Sequence, residues 1–92
     1  MKIRLLRSAS ADLRQTADFI AIHARRAAER LVSRIEAHLS LIAETQFVAM
    51  DRAGRRAGTR EFAEGKYIVS YRHNPAQDEL VVVSVVHGAR RS

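Results

Sequence analysis

The residues of this chain best suited to chemistry lie in its last third. Arg60 stands in Gly58-Thr59-Arg60-Glu61, Arg72 closes Lys66-Tyr67-Ile68-Val69-Ser70-Tyr71-Arg72, and His87, Arg90 and Arg91 fall in Val86-His87-Gly88-Ala89-Arg90-Arg91. A guanidinium stays charged near neutral pH and offers a fork of donors that matches phosphate or carboxylate, while an imidazole can take or give a proton in the same range. Such a group can hold an anionic partner or, with the histidine as acid or base, act on a phosphodiester. His87 also has a structural reading, as a side chain hydrogen-bonded to its own loop. The four histidines, His23, His38, His73 and His87, show no ligand spacing with one another, and there is no cysteine to complete a zinc set. No metal is expected. Gly54 and Gly58 make neither a Walker loop nor a dinucleotide fingerprint, because the lysine and the strand-Gly-helix setting are missing, so no cofactor is expected either.

The elements that must position these residues are limited by length and composition. A chain of 92 residues fits one domain, 1–92, and its 47% hydrophobic content supplies a core built from aliphatic side chains, since only 5% of the residues are aromatic and none is Trp. Sixteen Lys and Arg against ten Asp and Glu leave a formal charge of +6. Nucleic acid, a ribonucleoprotein or an acidic protein is the matching partner, although charge alone separates these weakly. The absence of cysteine fits a reducing cytosol. Arg4 and Arg7 interrupt the N-terminal apolar residues, so neither a signal peptide nor a membrane span is expected, and the chain reads as cytoplasmic.

The apolar period changes once, from helical to strand-like. Ile3 to Leu6 reads as a short strand, followed by Ser8 or Ser10 as a helix cap. Leu13, Ala17, Ile20 and Ala24 fall on one helical face, and Ala28, Leu31, Ile35, Leu39 and Ile42 continue it. One straight helix over both sets would run about 50 Å, against a radius of gyration of about 12 Å for a domain of this size. A break is therefore expected near His23 to Arg26, giving an antiparallel two-helix hairpin with Glu29, Arg30, Ser33, Arg34 and Glu36 on its solvated face.

From Thr45 to Gly58 the pattern lapses, and Met50 to Gly58 reads as a basic surface loop, either touching phosphate or merely connecting. Glu64-Gly65 predicts a hairpin turn between Arg60–Phe62 and Lys66–Arg72. His73 to Glu79 predicts a longer turn, because Pro75 cannot sit in a central strand. Leu80 to Val86, apolar except for Ser84, predicts the most buried strand. Arg60 and Glu61 must point to opposite faces and need separate partners; Tyr67, Val69 and Tyr71 share one face, read as packing rather than base stacking. The expected class is α+β: an N-terminal strand, the helical hairpin, then a three-stranded antiparallel meander in a small twisted sheet.

In the order of its elements, and most specifically in G-T-R-E at 58–61, Y-I-V-S-Y-R at 67–72 and H-G-A-R-R at 87–91, the chain resembles the RelE/ParE superfamily of bacterial toxins, and its ParE-like branch more closely. The resemblance implies a type II toxin–antitoxin system toxin, bound as a hetero-oligomer by a cognate ParD-like antitoxin that folds on it. RelE-like members cut messenger RNA on the ribosome; ParE-like members trap DNA gyrase on cleaved DNA without catalysis of their own. Here Ile68 stands where a nuclease arginine is often found, and no distal tyrosine follows before Ser92. These departures favour the gyrase poison, with Arg60, Arg72, His87, Arg90 and Arg91 as target contacts and no catalytic residue. The alternatives are a ribosome-dependent endoribonuclease using His87 and Arg90, and a basic binding module that is no toxin. Ser84 stands where many relatives carry a charge, which points to a changed or lost target.

Overall fold

The computed structural model describes residues 1–46 and 50–90, with the side chain of Arg90 left aside. Its elements are β1 (Lys2–Leu5), α1 (Arg7–Thr45), β2 (Arg52–Ala53), β3 (Arg60–Glu64), β4 (Tyr67–Asn74) and β5 (Glu79–His87), with short 3-10 turns at Pro75–Gln77 and Gly88–Arg90. The strands form one mixed sheet in the order β1-β5-β4-β3-β2, in which β1 runs parallel to β5 and every other pairing is antiparallel. The expected meander is β3-β4-β5. The expected sheet gains a fifth strand, β2, from the segment read as a loop.

The helical hairpin is corrected to a single helical element. No loop divides α1, and the bend falls on one residue, Ala24, whose φ of −152° and ψ of 75° leave the helical region. It lies inside the expected window. A straight helix of 39 residues would span roughly 58 Å, whereas the longest extent of the molecule is 41 Å. His23, Ala24 and Arg25 are exposed, so the backbone groups freed at the bend face water. Neither Ser8 nor Ser10 caps the helix; its N-cap is Leu6, without a side-chain bond.

The core lies chiefly between the second half of α1 and one face of the sheet, with Ala9 from the first turn of the helix fully buried in it and Leu13 and Ile20 packed against it. Leu31, Ile35, Leu39 and Ile42 recur at helical spacing and meet Phe62, Val69, Tyr71, Val82 and Val85, which alternate along their strands. Leu80, Val81, Val82 and Val85 are all buried, and β5 is bonded on both sides, as expected of the most apolar strand. Glu29, Arg30, Ser33, Arg34 and Glu36 are exposed on the opposite helix face. A register shift between Ser70 and Tyr71 pairs Ser70 with Ser84 but Tyr71 with Val82, so Val83 is the extra residue of a bulge. β3 and β4 are joined by the two residues Gly65 and Lys66, Gly65 taking the left-handed φ of 59° that favours glycine. Among the described residues, no helix is long and apolar enough to cross a membrane.

Candidate functional site

The register sorts the strand residues onto two faces. Phe62, Val69 and Val85 form one cross-strand row toward α1; Glu61, Ser70 and Ser84 form a row on the opposite face, and Ala63, Ile68 and Val86 the next. The second half of α1 does not cover that outer face. Instead, the first turns of α1 run past the edge of β5 where β1 ends. There Leu6 donates its N–H to the Val82 carbonyl at 3.0 Å, the Ser8 hydroxyl donates to the Val83 carbonyl at 3.4 Å, and the Val85 N–H donates to Asp12 Oδ2 at 3.2 Å. These contacts continue the edge hydrogen bonding that β1 began, satisfying backbone groups that would otherwise be left open. Between this helix start, the outer face and the loop after β2 lies a cleft of about 990 Å³, lined by Phe19, Arg55, Arg56, Ile68, Ser70, Ser84, Val86 and His87 among others.

The cationic wall of the cleft comes from residues 52–59. Arg52 Nε donates to Glu61 Oε1 at 2.8 Å, which pairs the buried Glu61 carboxylate. Residues 54–59 close on themselves: the Gly54 N–H donates to the Thr59 carbonyl at 2.8 Å, and the Thr59 hydroxyl donates to the Arg56 carbonyl at 2.6 Å. A Cβ on Gly54 would overlap the Thr59 side chain. Arg55 and Arg56 ride on this closed loop, both exposed.

Behind the loop, Asp51 is turned inward and is only 7% exposed. The Tyr71 hydroxyl donates to Asp51 Oδ2 at 2.5 Å, His38 Nε2 lies 2.9 and 3.1 Å from the two carboxylate oxygens, and Arg60 Nη1 donates to the Asp51 carbonyl at 2.8 Å. The His38 ring stacks on Phe62 with centroids 3.7 Å apart. Burial, reinforced by the hydrogen bond and the charge of Asp51 and opposed by Arg60, pushes the Tyr71 phenol well above its ordinary value and keeps it a donor.

The structure separates the target contacts expected from sequence. Arg60 is turned toward Asp51. Glu61, its neighbour, points to the other face and pairs with Arg52, so the two do find separate partners. Arg72 is exposed opposite Val81, about 17 Å along β4 from Tyr67 at the usual strand rise. His87 lines the cleft: its Nδ1 accepts from the Ala89 N–H at 3.0 Å, and its ring meets Tyr67 edge-on at 5.2 Å. That engagement is the structural reading of the histidine, and it leaves Nε2 as the ring atom carrying hydrogen in the neutral form. Arg90 has its backbone in the Gly88–Arg90 turn; its side chain and all of Arg91 lie outside the described residues.

Sequence reasoning placed Arg55 and Arg56 in a basic loop without deciding its use, and missed Asp12, His38 and Asp51. His38 had a legible signal, for it stands three residues after Ile35 and four before Ile42, on the buried stripe. Among the described residues no three His, Asp or Glu side chains gather as a metal site.

Comparison with known proteins gives a consistent family signal. The family model for the ParE toxin of the type II toxin–antitoxin system, parDE, matches residues 3–92. Among solved structures, the chromosomal ParDE system from P. aeruginosa aligns with a TM-score of 0.63 at 18% identity, covering 95% of each chain. The toxin–antitoxin complex RelBE2 from Mycobacterium tuberculosis aligns at 0.64 and 22% identity, covering 94% of this chain and 95% of that one. At those identities the two structures speak for the shared fold. No curated protein matches the chain.

Proposed function

Because this chain belongs to the ParE toxin family of type II toxin–antitoxin systems, we propose that it is a toxin restrained by a cognate ParD-like antitoxin and that it acts inside the cell by poisoning DNA gyrase, with no catalysis of its own. The observation that carries this reading is the state of the cleft. Its walls are suited to binding, with Arg55 and Arg56 together with Ile68 and Val86 among its lining, while the two carboxylates that line it are held in structural bonds. Asp12 accepts from the Val85 N–H, Glu61 is paired with Arg52, and His87 Nδ1 accepts from Ala89. An acid–base mechanism needs such a group within reach of a substrate proton; a poison needs only a surface that prefers one state of its target.

The restraining partner is read from the opposite wall. Phe19 and Ile22 are 66% and 72% exposed on the first half of α1, among Arg14, Arg25 and Arg26. An acidic amphipathic segment that orders on binding fits both features, since charge speeds encounter and apolar burial supplies affinity.

The test is to incubate the antitoxin-free protein with purified gyrase, supercoiled DNA and ATP, then look for protein-linked double-strand breaks after detergent and protease. Breaks are expected, and alanine at Arg90 and Arg91 together should abolish them while antitoxin binding is retained. A folded, toxic preparation that yields none removes gyrase as the target. The presence of His87 in the lining of the cleft favours, as second reading, a ribosome-dependent messenger endoribonuclease; site-specific transcript cleavage lost in His87→Ala would establish it. Folded protein that is harmless without antitoxin would instead leave a basic binding module.

A further inference from the structure

We infer that Asp51 is a positioning residue that docks the 52–59 loop onto the sheet and thereby sets the cationic wall of the cleft; its functional half rests on the reading that this wall engages the target. Residues 54–59 are internally closed by the Gly54–Thr59 and Thr59–Arg56 bonds, so they move as one piece. What ties that piece to the rest is small. β2 pairs with β3 at two positions only, Arg52 with Glu61 and Ala53 with Arg60, and a two-residue strand is too short to hold its own place. The Arg52 side chain that pairs with the buried Glu61 carboxylate is itself 60% exposed, so water solvates the arginine end of the pair.

Asp51 is the opposite case. It reaches α1 through His38, β4 through Tyr71 and β3 through the bond from Arg60 to its carbonyl. A buried carboxylate is costly unless its lone pairs are met by donors, and here donors from two elements meet them while a third holds the backbone. Asp51 immediately precedes β2, so its placement determines where Arg52 starts and where Arg55 and Arg56 stand. The asymmetry of such bonds makes the anchor specific: asparagine has the right size but turns an NH2 toward a donor, and phenylalanine at position 71 leaves one carboxylate oxygen without its hydroxyl.

Limited trypsin digestion of the full chain, read by mass spectrometry, tests this directly. In Asp51→Asn, cuts after Arg52, Arg55 and Arg56 should come about tenfold faster than in the native chain, while cuts after Arg30 and Arg34 in α1 keep their native rates. Tyr71→Phe, which keeps the ring in the core, should show the same local pattern at about fivefold and serves if Asp51→Asn does not fold. Unchanged loop cleavage in both variants overturns the inference. So does an equal rise at loop and helix sites, since that marks global unfolding rather than undocking. Gyrase-dependent DNA breakage then separates the two halves: it should fall in Asp51→Asn as it does in the Arg55→Ala, Arg56→Ala double variant. If digestion shows undocking but both proteins still yield full breakage, Asp51 anchors the loop and the link to target engagement is overturned.

Discussion

Residues 25–45 of α1 bury Ala28, Leu31, Ile35, Leu39, Ile42 and Ala43 against the sheet, whereas residues 7–23 bury Ala9 and leave Phe19 and Ile22 in water. The two stretches carry the same apolar period. What separates them is position relative to the sheet: after the bend at Ala24 the chain returns across the inner face of β3, β4 and β5, while the first half runs along an edge and over one end of the outer face. The second half therefore supplies most of the helical core, while the first adds Ala9, Leu13 and Ile20 to it and leaves Phe19 and Ile22 available for contact. The apolar stripe through Leu13 and Ile20 meets the core in both halves, whereas Phe19 and Ile22 lie off that stripe, and apolar residues outside the core-facing stripe mark a surface for a partner.

This contrast can be broken by substitution. Ile35→Ala, in the covered half, should cost about 3 kcal/mol, a large share of the roughly 5–14 kcal/mol available to a domain of this length, and denaturant unfolding would measure it. Tyr71→Phe should cost about 1–2 kcal/mol, since it removes one hydroxyl from a buried carboxylate and leaves the ring in place. The same variant carries a pH signature. The folded phenol titrates above its unfolded value of about 10, so the folded state keeps a proton that the unfolded state has lost. That stabilisation is whole below pH 10 and declines above it, by up to about 1.4 kcal/mol per pH unit. Comparing unfolding of the native chain and Tyr71→Phe from pH 9 to 11 should show the extra alkaline loss in the native chain alone.

At the small end, Phe19→Ser with Ile22→Ser should change stability by less than about 0.5 kcal/mol, because both side chains are already solvated. Calorimetric titration with the cognate antitoxin should nonetheless show at least about tenfold weaker binding. A stability loss of more than 2 kcal/mol in that pair would mean that Phe19 and Ile22 are also core, and would end the contrast.

The second-half meander was legible because three strands alternate or run apolar between recognisable turns, and Pro75 could be excluded from the sheet interior. The bend in α1 was legible only from length and from the family resemblance, since neither glycine nor proline marks it; what could not be read was that a single alanine would make it without a loop. β2 was hidden because two residues hold no period. Among the site residues, His87 was read at the end of its strand, and Arg60 was expected to need a partner of its own, but that partner, the Asp51 carbonyl, could not be named because it belongs to a segment with no pattern. Asp51 looked like one acid in a basic loop, and nothing local distinguishes an inward from an outward carboxylate.

Local chemistry thus settled the order of β1, β3, β4 and β5, the presence of a bent helical stretch after β1, and the alternation along β3 and β4, because hydrophobic period and turn propensity act over a few neighbours. Tertiary structure alone decided which half of α1 covers the sheet, that the start of the helix would continue the edge of β5, and that Asp51, His38, Tyr71 and Arg60 would meet. Those outcomes depend on contacts between residues 9 to 75 positions apart, whose closure is set by how the whole chain packs rather than by any segment's own preference.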